Sequence, residues 1–100
     1  MRVASREDIL DCRAVVPADV VYREFGDDTL LLNLSTGTYH GVNASGARLI
    51  ALLPEADGDL RLAVERLAAE CGVGAGEIAE EMAGFCVQLA ERGLLEATPR

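Results

Sequence analysis

Thr29-Leu30-Leu31-Leu32-Asn33-Leu34-Ser35-Thr36-Gly37-Thr38-Tyr39-His40-Gly41-Val42-Asn43 is the stretch on which the fold turns. Its first six residues form an apolar run that is short for a helix. Turn formers bound it on both sides, Gly26-Asp27-Asp28 before and Ser35-Thr36-Gly37 after, which is the pattern of a buried strand. Ser35-Thr36-Gly37 reads as a hairpin loop and Thr38–Val42 as a further short strand. Upstream, Val20–Phe25 is β-branched and aromatic and supplies the strand that precedes both. Three strands joined by short loops predict an antiparallel meander. Residues 1–17, closed by Pro17, are weakly patterned and read as a lead-in.

Downstream the period becomes helical. Asn43 is a good N-cap for a helix over Ala44–Leu53, with Leu49, Leu52 and Leu53 on one face and Pro54 as the stop. Asp59 caps a second helix in which Leu60, Val64, Leu67 and Cys71 recur at helical spacing, and Gly72 is its C′ residue. A third helix starts near Gly76 and runs to Arg92, with Gly93 at C′ and Leu94-Leu95 folding back. Segregated strands and helices in the order β-β-β-α-α-α predict an α+β fold, one domain over residues 18–96.

Composition narrows the function. Among 100 residues there are 9 arginines and no lysine against 17 acids, a net charge of −8. Half the residues are hydrophobic, which argues against disorder. The acidic balance, 4% aromatics and absence of Trp argue against nucleic-acid binding, which needs basic faces or stacking platforms. The apolar runs fall far short of the ~20 residues that span a bilayer, and Met1–Asp8 has no apolar signal region. Cys12, Cys71 and Cys86 are an odd set without a CxxC pair, as expected of reduced thiols in a cytoplasm.

The third helix carries more apolar surface than docking requires. Ile78, Met82, Phe85 and Leu89 make one stripe; Ala79, Ala83, Cys86, Val87 and Ala90 make a second beside it. Together they span an arc of roughly 200°, where a surface helix docks with little more than ~100°. The second stripe either packs on the other two helices or floors an open groove. The strand Thr38–Val42 bears on the choice, because no later strand covers it and it carries no Lys, Pro or inward charge to blunt its edge. A free edge beside an apolar helix is the architecture for strand addition by a peptide.

Catalytic chemistry finds little support. His40 is a lone strand histidine, and neither Ser35 nor Ser45 sits in a nucleophile elbow. No Cys/His set has zinc spacing, and Gly72-Val73-Gly74-Ala75-Gly76 lacks the lysine and preceding strand of a phosphate loop. Cys86 has no basic neighbour in sequence to lower its pKa. The expectation is a binding module, not an enzyme, with no metal and no cofactor.

The segment Leu31–Ile50 is similar to the heart of the PqqD-like family: a strand, a Ser/Thr-Gly hairpin, an aromatic-bearing strand, an Asn cap and a small-residue helix, in that order. Glu77-Ile78-Ala79-Glu80-Glu81-Met82 and Leu89-Ala90-Glu91-Arg92-Gly93-Leu94-Leu95 resemble its last helix and ending. The resemblance implies a RiPP recognition element, a winged helix-turn-helix-like domain. Such domains bind the leader of a ribosomally made precursor peptide as an added strand and deliver it to a modifying enzyme. On that basis Thr38, Tyr39, His40, Gly41 and Val42 offer the pairing backbone. Ala79, Ala83, Cys86, Val87 and Ala90 line the opposite wall, and Met82 and Phe85 floor a side-chain pocket. The resemblance is greatest to stand-alone leader-binding proteins of split lasso-peptide proteases, whose partner is a separate cysteine-protease subunit. The alternatives are a chaperone for a radical-SAM maturase, a winged-helix DNA-binding protein, and a homodimer through the same edge.

Overall fold

A computed structural model describes residues 9–26 and 28–99; Met1–Asp8, Asp27 and Arg100 lie outside the described residues. The elements are β1 (Cys12–Val15), β2 (Val20–Phe25), β3 (Asp28–Asn33), β4 (Tyr39–Val42), α1 (Ala44–Glu55), α2 (Leu60–Cys71), α3 (Ala75–Glu91) and β5 (Glu96–Pro99). β2, β3 and β4 form an antiparallel sheet in that order, and three helices follow, so the fold is α+β and winged-helix-like.

Two strands were not legible in the sequence. β1 lies within the supposed lead-in and pairs antiparallel with β5, from Cys12 opposite Pro99 to Val15 opposite Glu96. Cys12 and Ala14 are buried while Arg13 and Val15 are exposed, the period-two pattern of a half-buried strand. Four residues are too few for that period to stand out, and the partner is at the far end of the chain.

Pro54 does not stop α1. It sits inside the last turn, where its missing N–H costs one helical bond, and Ala56 closes the helix by donating to the carbonyls of Leu52 (3.0 Å) and Leu53 (3.1 Å). The chain then reverses through Asp57 (φ 58°) and Gly58 (φ 79°). Gly58 is required twice over: its φ is left-handed, and a Cβ there would stand 2.9 Å from the Ala14 carbonyl oxygen. This close approach lets Ala14 N–H donate to Gly58 O at 2.8 Å, binding β1 to the α1–α2 turn.

The caps of the other elements follow the sequence. Asn43 and Asp59 accept from the backbone N–H of Gly46 and Leu62, and Gly72 and Gly93 adopt left-handed φ of 73° and 74° after their helices. α3 begins at Ala75, behind Gly74 rather than at Gly76. Leu31, Leu49, Leu52, Leu53, Leu60, Val64, Leu67, Leu89, Leu94 and Leu95 fill one core. Cys71, expected on the apolar face of α2, is exposed at the end of that helix.

Candidate functional site

β4 is an edge strand, because β1 pairs with β5 and leaves the far side of β4 without a partner strand among the described residues. Hydrogen-bond parity fixes which of its groups are free. Asn33 N–H donates to Thr38 O at 2.8 Å, and in an antiparallel ladder every second residue faces the same neighbour. Thr38, His40 and Val42 therefore direct their backbone groups at β3, while Tyr39 and Gly41 direct theirs outward. The contact of Arg92 agrees: its Nη1 donates to the outward carbonyl of Tyr39 at 3.5 Å.

The side chains alternate in the same way. Val42 is buried and His40 half-buried toward the helices, whereas Tyr39 is 61% exposed on the other face. The His40 and Phe85 rings lie 6.1 Å apart at a tilt of 55°. Burial chiefly, and the nearby Arg92 charge after it, hold the His40 pKa below its ordinary value. Phe85 in turn lies against α1: a Cβ on Gly46 would come within 2.8 Å of Phe85 Cζ, so the missing side chain is what seats the ring.

Asn33 ties α3 to the hairpin. Buried at the end of β3, its Nδ2 donates to Gly93 O at 3.1 Å, and its Oδ1 accepts from Ser35 N–H (2.9 Å) and Thr36 N–H (3.1 Å). One side chain thus sets the hairpin loop and anchors the C-terminal end of α3 beside the start of β4. The result is a trough with the outward groups of Tyr39 and Gly41 on one side and Phe85 and Arg92 on the other.

The residues expected on α3 divide. Phe85 reaches the trough. Met82, Ala83 and Cys86 are buried in the core, and Ala79 and Val87 are half-buried and packed against it; Ala90 is also half-buried. Much of the small-residue stripe therefore serves helix packing. Burial pushes the Cys86 thiol up to about 12, so it is protonated and inert as a nucleophile. Arg92 was not singled out in the sequence, although it lies seven residues beyond Phe85, two helical turns along the same face. Among the described residues no cluster of His, Cys, Asp or Glu could hold a metal, and no helix is long and apolar enough to cross a membrane. A separate concavity of about 420 Å³, lined by residues including Val15, Val16, Ile50 and Pro54, shares no residue with the β4 edge.

An exposed edge strand beside a helix, on a three-stranded, three-helix scaffold, is a geometry open to strand addition by a peptide. The sequence matches the family model for coenzyme PQQ synthesis protein D (PqqD) over residues 28–95, from β3 through α3, and the chain belongs to that family. A solved structure described as TbiB1 in complex with the TbiA(beta) leader peptide is similar, with a TM-score of 0.67 and 33% identity. That match covers 82% of this chain and 94% of the other. No curated protein matches the sequence.

Proposed function

We propose that this chain is a non-catalytic recognition element that takes the leader of a ribosomally synthesised precursor peptide as a strand on β4 and presents it to a maturation enzyme. The observation that carries the reading is the free edge of β4, with Tyr39 and Gly41 facing out beside Phe85 and Arg92. The bound state of TbiB1, which holds a leader peptide, supports it at 33% identity. The backbone of β4 supplies affinity, and the trough beside Phe85 supplies selectivity for an apolar or aromatic leader side chain.

The maturation enzyme on this reading is a leader-removing cysteine protease of a lasso-peptide pathway, carried on a separate subunit, in a cytoplasm that suits the reduced, non-disulfide cysteines Cys12, Cys71 and Cys86. The family match itself favours a second reading, a peptide chaperone for a radical-SAM maturase, which uses the same edge. Dimerisation through β4 competes with leader binding at the same groups.

The test is a titration with the leader of a precursor encoded beside this chain, followed by amide NMR. Shifts concentrated on residues 39–42 and 85–92 are expected. Gly41→Pro removes an outward N–H without breaking the β3–β4 ladder, so it abolishes binding while the domain stays folded. A Gly41→Pro variant that bound the leader as tightly as the original chain would refute strand addition.

A further inference from the structure

We propose that the trough reads charge order, and this rests on β4 receiving a peptide strand: the favoured guest carries a carboxylate at the Arg92 end and a basic side chain four or six residues away at the Glu81 end. Arg92 occupies the C-terminal end of α3, where the carbonyl pole of the helix favours a cation. Its bond to Tyr39 O is long, at 3.5 Å, and so is easily exchanged. A guest strand needs that same carbonyl for its own N–H. Docking therefore displaces the guanidinium from Tyr39 and leaves a planar fork of donors beside the incoming chain, for which a carboxylate is the best acceptor. In a protein of net charge −8, this is a local exception that admits an acidic side chain beside Tyr39.

The other end of the trough has the opposite sign. Glu81 is exposed, and it precedes Phe85 by one helical turn on the same face that carries Arg92. Eleven residue steps along α3 and its C-cap separate Glu81 from Arg92, about 16 Å, which a strand covers in about five residues. Because strand side chains alternate, four or six residues put both guest charges toward α3. Phe85 lies between them, so the guest reads acid, apolar, base along that face. Arg92 is thereby a specificity-determining residue.

The experiment selects a phage-displayed library of random 12-residue peptides on the full chain and on its Gly41→Pro, Arg92→Gln and Arg92→Glu variants, each checked for folding by circular dichroism. Among peptides whose capture requires an intact Gly41, Asp or Glu is enriched at one position with Lys or Arg four or six residues from it. Exchanging the two charges in a synthetic peptide, at constant composition, weakens binding about tenfold. Arg92→Gln removes the preference and Arg92→Glu reverses it. Gly41-dependent peptides without charge order, or an exchanged peptide that binds equally well, overturn the proposal and leave strand addition standing. Peptides captured equally by Gly41→Pro overturn strand addition itself.

Discussion

Asn33 and Gly93, sixty residues apart, are joined by a hydrogen bond of 3.1 Å from the Asn33 amide to the Gly93 carbonyl, and this bond holds α3 alongside β4. The same side chain receives Ser35 and Thr36 N–H, so its removal orphans three partly buried backbone groups at once. Asn33→Ala is expected to destabilise the domain by about 2–4 kcal/mol in urea unfolding, at the high end for a single polar side chain. Asn33→Asp keeps the acceptor for the loop and loses the donor to Gly93. It is expected to fall between the two, with a measurable loss of peptide affinity. Equal stability of Asn33→Ala and the original chain would show that the anchor is dispensable.

Gly46 controls the position of the Phe85 ring. An added methyl would meet Phe85 Cζ at 2.8 Å and Val42 Cγ1 at 3.1 Å. Ala is the better helix former by about 1 kcal/mol, and the clash opposes that gain with about 1–3 kcal/mol of overpacking. Gly46→Ala should therefore be neutral to mildly destabilised in thermal melts and weaker in peptide binding, because the ring is driven from its seat. Pairing it with Phe85→Leu should recover stability but not affinity.

His40 makes stability depend on pH in a defined direction. Its folded-state pKa is depressed below 6.5, so the unfolded chain binds the proton more readily. The contribution is complete above 6.5 and is lost as pH falls through the lower folded value. Carboxylates also titrate under acid conditions, so the measurement is the difference between the original chain and His40→Gln, followed by urea midpoints from pH 7.5 to 5. The gap should narrow toward acid; a gap that widened would reverse the assignment of cause.

Thiol accessibility separates the three cysteines. Cys71 is exposed, while Cys12 and Cys86 are buried, and Cys86 is protonated at any ordinary pH. Iodoacetamide at pH 8 followed by mass spectrometry should alkylate Cys71 first and Cys86 only on unfolding. Rapid labelling of Cys86 in the native domain would contradict its place in the core.

Most of the scaffold could be read from local signals. Asn43, Asp59, Gly72 and Gly93 each punctuate a helix through their own chemistry, and Ser35-Thr36-Gly37 announces the hairpin. What could not be read depends on contacts between distant residues. β1 and β5 are four residues each and gain meaning only from each other. The continuation of α1 through Pro54 depends on how late in the helix the proline falls. The site followed the same division. The open edge was expected on the premise that no later strand exists; a later strand, β5, does exist, but it pairs with β1 and leaves β4 uncovered. Which face of α3 looks at that edge was not, because Phe85 and Ala83 both lie on apolar stripes and only the Asn33 anchor and the Gly46 gap select between them.

Pairing Cys12–Val15 with Glu96–Pro99 stitches the two flanks of the polypeptide together in a ladder that shares no hydrogen bond with β2–β3–β4. The two ladders are thus separate hydrogen-bonded units. Fraying of the flanking ladder does not by itself unzip β4 from β3.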